Sequence, residues 1–165
     1  MERLNAPRID AAVFRDVLSR FASGITVVAG LDDTEPVGFA CQSFASLSLD
    51  PPLVMLAVGK ASTSWPRIER AGRFCVNILA EDQQATCAAL GRSGPDKFAD
   101  VPWSVSEHDT VRIDGALATV DCHLADVHEA GDHYIITGEV VDLAAQDGRP
   151  LLYFRSRYAT GVFAN

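Results

Sequence analysis

Nothing in this sequence approaches the ~20 consecutive apolar residues that a membrane-spanning helix needs, and residues 1–15 mix charge with short apolar pieces rather than building a secretory h-region. The expectation is therefore a cytoplasmic protein with no membrane partner. Cysteine is scarce: Cys41, Cys75, Cys87 and Cys122 are far apart and form no C-x-x-C pair, which excludes a disulfide-dense scaffold and a zinc ribbon and fits reduced thiols. Positive charge is scarce too. With 14 basic against 22 acidic residues the formal charge is -8, so a nucleic-acid backbone is repelled on average and no nucleic-acid partner is expected. The chain also lacks G-x-G-x-x-G after a strand, which removes a Rossmann unit, and it lacks G-x-S-x-G, which removes a hydrolase elbow.

What is present is apolar content of 48% in 165 residues, enough for one core, and the whole chain, 1–165, reads as a single domain. From Asp10 the positions Val13, Val17, Leu18 and Phe21 recur at helical spacing behind an N-capping carboxylate. Residues 24–30 (GITVVAG) are rich in β-branched side chains, 31–36 (LDDTEP) carry turn chemistry, and Val37 opens a second extended run, which predicts a hairpin. Residues 53–58 (LVMLAV), bounded by Pro and Gly, predict a central strand buried on both sides. A short helix over 62–72 with Pro66 in its first turn, a strand over 73–79 and a helix over 81–90 follow. Residues 91–102 hold Gly91, Gly94 and Pro95 and read as a surface loop of the kind that carries function. Strands over 116–128 and 133–143, joined by EAGD, complete a pattern in which strands outnumber helices two to one. Many short strands argue for a closed or nearly closed antiparallel barrel, because closure removes exposed sheet edges.

Three chemistries can be weighed on residue types. Metal binding is disfavoured: His108, Cys122, His123, His128 and His133 share one third of the chain, but Cys122 and His123 are adjacent and point to opposite faces of a strand. Serine nucleophily lacks its elbow. The dense hydroxyls Ser43, Ser46, Ser48, Ser62 and Ser64 either finish strands and cap the following helix or supply short donors to a phosphate and a polar ring edge. The residues alone therefore lead to an acidic barrel with a hydroxyl-rich middle, a description that a lipocalin-like carrier would also satisfy.

Residues 38–52 (GFACQSFASLSLDPP) resemble the identifying segment of the flavin-reductase-like, FMN-binding split-barrel family. FASGITVV at 21–28, GRFCVNIL at 72–79, DKF at 96–98, GDHYIITGEV at 131–140 and PLLY at 150–153 follow in family order. The resemblance implies a mainly β fold, an antiparallel split β-barrel of Greek-key type with a few short flanking helices. It also implies the site. Val37, Gly38, Phe39, Ala40, Cys41, Gln42 and Ser43 would line the isoalloxazine and ribityl chain, with Ala57, Val58 and Gly59 along the ring. Thr63 and Ser64, helped by the next helix N-terminus and by Lys60, would meet the phosphate; Ala89, Leu90, Lys97 and Phe98 would flank the flavin. Where this chain has Ala40 and Gln42, relatives tend to have Thr and Asn, so contact there is expected from the backbone. His133 of the GDH motif would stand beside the nicotinamide, as the candidate catalytic and NADH-binding residue, with Phe154 and Tyr158 closing the pocket.

The implied activity is hydride transfer from NADH or NADPH to FMN or FAD, with the reduced flavin released to a separate flavin-dependent monooxygenase. Within the family the strings at 38–52 and 72–79 are most similar to reductase components serving hydroxylation of a phenolic seco-steroid; service to another aromatic or chelator monooxygenase is the near alternative. A homodimer is implied. The rival from a different class is a flavin-binding or redox-sensing module that does not turn over NADH.

Overall fold

A computed structural model describes residues 8–161. The first element is α1 (Ala11–Leu18), and Asp10 caps it as expected: its Oδ1 accepts from the backbone N–H of Ala12 at 2.8 Å and of Val13 at 3.1 Å. The helix has an apolar stripe but buries none of it. Val13, Phe14, Val17 and Leu18 are all more than half exposed, and Phe21 beyond them is 85% exposed.

The strands are β1 (Ser23–Gly24), β2 (Thr26–Asp32), β3 (Glu35–Cys41), β4 (Ala45–Leu49), β5 (Pro52–Gly59), β6 (Arg73–Ile78), β7 (Trp103–Val105), β8 (Val111–Ile113), β9 (Ala118–Ala130), β10 (His133–Ala145), β11 (Leu152–Phe154) and β12 (Arg157–Ala159). Helices α2 (Trp65–Ala71) and α3 (Gln84–Gly91) complete the list. Seven strands form one antiparallel sheet in the order β3-β2-β6-β9-β10-β5-β4. The sheet curls so that the end of β3 reaches β5, next to the opposite edge. Ser43 there donates its hydroxyl to the carbonyl of Ala57 and accepts from the Ala57 N–H, both at 2.9 Å, so one side chain does the work of a missing ladder rung.

The β2–β3 hairpin forms as expected, with Asp33 at φ 56° in its turn. The β9–β10 hairpin turns at Gly131, φ 67°. Three expectations are corrected. Strand β5 is second from the edge of the sheet, not central, and only Val54, Leu56 and Val58 are core residues; Leu53, Met55 and Ala57 on its other face are half-buried, since no element among the described residues covers them. Helix α3 begins at Gln84 rather than residue 81, since Gln83 folds back to accept from the Ala80 N–H at 2.9 Å. Strands outnumber helices by more than two to one, because β4, β7, β8, β11 and β12 are too short to show a period.

Strand β2 is buried on both faces and divides the core in two. Val28 points into the barrel with Leu56, Trp65, Ile68, Phe74 and Ile136; Val27 and Ala29 point outward under α3 and β7–β8 with Leu79, Leu90, Val111 and Ile113. Truncating Phe74 to alanine in such a core typically costs about 3–5 kcal/mol. Asn77 ties the two halves together. Its amide donates to the carbonyls of Val27 and Val111, each at 3.1 Å, and its carbonyl accepts from the Ile113 N–H at 2.7 Å.

Candidate functional site

Where β3 peels away from β5, a cavity of about 520 Å³ opens, lined by Phe39, Ala40, Cys41, Gln42 and Ser43 on one side and Ala57, Val58 and Gly59 on the other, with Ile25, Ser62, Cys87 and His133 around the rim. A second cavity of about 320 Å³ lies across Gly38, lined by Val37, Gly38, Thr63, Ser64, Arg67, Asp96, Lys97 and Phe98. Most of the residues expected to hold a flavin thus fall into two groups on either side of one glycine. Gly38 itself is constrained by protein: a Cβ there would lie 2.8 Å from the Val28 carbonyl oxygen and 3.1 Å from the Phe98 ring.

The hydroxyls at the site are largely committed to the chain. Ser43 gives its one proton to Ala57 and lies 3.2 Å from the Cys41 thiol, so its hydroxyl has no proton left to offer a ligand. Ser64 donates to the Gly38 carbonyl at 3.1 Å instead of capping α2, and Ser62 accepts from the Trp65 N–H at 3.1 Å. Ser43, Ser62 and Ser64 therefore finish backbone bonding, and they stand on the cavity walls. Burial pushes the Cys41 thiol up, so it is a neutral, unreactive wall.

Lys97 differs from every hydroxyl around it. Its Nζ, half-buried, reaches three neutral acceptors, the carbonyls of Gly38 at 3.3 Å and Leu90 at 3.4 Å and the Ser64 hydroxyl at 3.5 Å. No carboxylate pairs with it among the described residues, and burial, then nearby Arg92, pulls its pKa down. Arg67 in the same cavity is already neutralised, 2.6 Å from Asp32 and 3.6 Å from Glu35. Uncompensated positive charge at the second cavity is therefore concentrated on Lys97, next to the Thr63 and Ser64 hydroxyls. Such a donor set suits a phosphate monoester.

His133 opens β10 opposite Gly59 of β5. Its Nδ1 lies 2.7 Å from Asp132 Oδ1, and that bond holds the Asp132 carboxyl below its usual value. An ionised carboxylate only accepts, so Nδ1 carries the proton and Nε2 is the nitrogen left free. Nε2 faces Gly59, 3.8 Å from where a Cβ would stand.

Five expected residues lie elsewhere. Lys60 lines neither cavity: its backbone bonds Asp132 at 2.9 Å, which turns Nζ over the Tyr134 ring and toward Glu129 at 3.7 Å, away from Thr63 and Ser64. Leu90 is fully buried in the outer core, and what it offers the site is the carbonyl held by Lys97. Ala89 faces a separate cavity of about 390 Å³ along α3. Phe154 and Tyr158 line a groove against α1 and do not join His133. Sequence reasoning missed Ile25, Cys87 and Asp132. Asp132 had a signal, the GDH string, whereas Cys87 had none.

The one cluster with metal-like composition among the described residues, His108, Asp121 and Asp142, already contains a cation. Arg112 bonds fully buried Asp121 through Nε and Nη2 and reaches Asp142 at 2.7 Å, while Thr110 bonds the other Asp121 oxygen. No helix among the described residues is long and apolar enough to cross a membrane.

Residues 18–161 match the family described as flavin reductase like domain. The chain is 50% identical over 158 residues to the reductase subunit HsaB of a flavin-dependent monooxygenase from Rhodococcus jostii, covering 95% of this chain and 80% of that protein. Among solved structures it superposes with a TM-score of 0.90 on a nitrilotriacetate monooxygenase component B homologue from Mycobacterium thermoresistibile, at 48% identity over 95% of this chain and 89% of that one. An NADH:FAD oxidoreductase from Streptomyces globisporus, solved with NAD and FAD fragments, gives a TM-score of 0.87 at 32% identity, covering 96% of this chain and 98% of that one.

Proposed function

This chain belongs to the flavin reductase like domain family, and from that premise we infer that it is an NAD(P)H:flavin oxidoreductase supplying reduced flavin to a partner monooxygenase. The observation that carries the reading is the pair of cavities across Gly38: one with apolar and backbone walls and a free imidazole nitrogen at its rim, the other with an uncompensated lysine beside two hydroxyls. The residues present fit a flavin. Phe39 to Ser43 and Ala57 to Gly59 would border the ring system with backbone edges; Thr63, Ser64 and Lys97 would hold the phosphate, with Val37, Gly38 and Phe98 shaping the passage between.

Bound flavin, FMN or FAD, supplies the hydride-accepting ring, and nicotinamide the hydride. The protein's part is orientation and exclusion of water. Asp132 fixes the tautomer of His133, so that Nε2 meets the reductant as an acceptor at the mouth of the cavity. Ser43 keeps β3 and β5 at a set separation beneath the ring. Lys97 contributes binding rather than chemistry. With no acid–base pair at the centre and the first cavity open at its rim, the reduced cofactor can leave, as a two-component system requires.

Two finer readings go with this. A second copy of the chain would cover the exposed apolar stripe of α1 and the half-buried face of β5, which makes a homodimer the expected assembly. The monooxygenase served would hydroxylate a phenolic seco-steroid or another aromatic compound. The test is anaerobic NADH oxidation by purified protein with excess FMN or FAD. Catalytic bleaching of free flavin is expected; flavin that binds while NADH stays intact would move the chain to the sensing class.

A further inference from the structure

The chain carries twelve arginines but only two lysines, and each lysine stands beside one of the two cavities. Lys97 lines the second. Lys60 follows directly on Gly59, the last residue of β5 and part of the wall of the first. Its backbone N–H donates to the Asp132 carbonyl at 2.9 Å, which ties the end of β5 to the turn that presents His133. Its Nζ lies over the Tyr134 ring, 5.3 Å from the centroid, and 3.7 Å from Glu129 Oε1. That is a loose, single-point contact. The Lys60 side chain is 34% exposed and that of Glu129 78%, so the pair contributes little to stability. An arginine in its place could grip the carboxylate with a planar fork, whereas an ammonium on a flexible stem stays a mobile point charge.

Three charged side chains therefore stand around His133 at the rim of the first cavity: the ammonium of Lys60 and the carboxylates of Glu129 and Asp132. Lys60 is felt by both acids. The Asp132 carboxyl is held below its usual value first by the His133 bond, and the charge of Lys60 adds to that effect. Without Lys60 the rim would present two carboxylates to an incoming nicotinamide dinucleotide, itself an anion, on a chain that already carries -8. We propose that Lys60 is a specificity-determining residue for the hydride donor: it sets the charge of the rim where the nicotinamide enters, and so admits an anionic donor past Glu129 and Asp132. The role rests on the reductase reading and leaves the flavin phosphate to Lys97.

The test is anaerobic steady-state reduction of FMN by the full chain with two donors: NADH, and N-benzyl-1,4-dihydronicotinamide, which has the same reacting ring and no phosphate. Wild type is compared with Lys60→Gln and Glu129→Gln. These remove opposite charges from one ion pair, and both residues are exposed, so both variants should fold. Lys60→Gln should raise the KM for NADH about threefold and Glu129→Gln should lower it by about the same factor, the size of one unit charge acting on another at ~6 Å through water. In both, kcat should stay level. At 1 M salt, where the Debye length is about 3 Å, both shifts should largely vanish, and the uncharged donor should respond to neither substitution. A merely structural ion pair would move both variants in the same direction and with both donors, which overturns the proposal. So does a KM for NADH that stays level in Lys60→Gln, or a KM for FMN that shifts as far as that for NADH. Wild-type protein that leaves NADH intact would sink the reductase reading itself.

Discussion

Lys97 and Arg112 are both partly buried cations, and the chain treats them in opposite ways. Arg112 lies between Asp121 and Asp142 and has its charge balanced by the protein. Lys97 is given three neutral oxygens and, among the described residues, no carboxylate. Desolvating a cation without a counter-ion costs stability, so the second arrangement makes physical sense where an anionic ligand completes it. The region around Arg112 is a staple between β8, β9 and β10; the region around Lys97 is the proposed phosphate site.

Removing the fully buried partner should break the staple with the largest effect. Asp121→Ala leaves Arg112 and Thr110 without their acceptor, and about 3 kcal/mol of stability should be lost in urea unfolding, with flavin affinity of the remaining folded protein unchanged. A matching loss of flavin affinity would show that the two regions are coupled. Next in size, Lys97→Gln should weaken flavin binding by about 2 kcal/mol, the worth of a charge-assisted hydrogen bond, while unfolding stability stays level or rises. Stability lost in step with affinity would make Lys97 structural, like Arg112. Ser43→Ala should cost about 1–2 kcal/mol by leaving the Ala57 N–H and carbonyl unpaired; Ser43→Thr should restore both stability and the spectrum of bound flavin, since only the hydroxyl is needed.

The smallest effect is on pH, where the two cations predict opposite signs. Asp142 is held below the usual carboxylate value by its bond to Arg112, so its contribution is complete above the unfolded value of about 3.9 and is lost as pH falls through the lower folded value. Lys97 is a base held below its usual value by burial, so the folded state is relieved as pH rises from that lower value toward the unfolded 10.4. Urea midpoints across pH should show an acid-side loss that Asp142→Asn diminishes and an alkaline-side gain that Lys97→Gln abolishes. An alkaline gain that survives in Lys97→Gln belongs to another group.

Much of this molecule was legible in local pattern. The cap at Asp10, the β2–β3 hairpin and the long β9–β10 pair follow from spacing, turn residues and β-branching, all of which act within a few residues. The strings at 38–52 and 131–140 supply walls of the first cavity and the His133 at its rim. The strands of three residues and the edge position of β5 were not legible, because a short run carries no period and apolar content does not say which face a neighbour will cover.

The sequence by itself determined which residue types stand together along the chain, and with them the strand-rich architecture, the family and the acidic balance. Only the tertiary structure decided what each polar group is bonded to. Lys60 sits three residues from Thr63 yet turns to Glu129, whereas Lys97 arrives from 59 positions beyond Gly38 to sit against its carbonyl. Ser43 closes the barrel on Ala57 instead of offering its proton outward. Burial, charge compensation and hydrogen-bond satisfaction are properties of neighbours in space, and distant strands brought into register supply those neighbours.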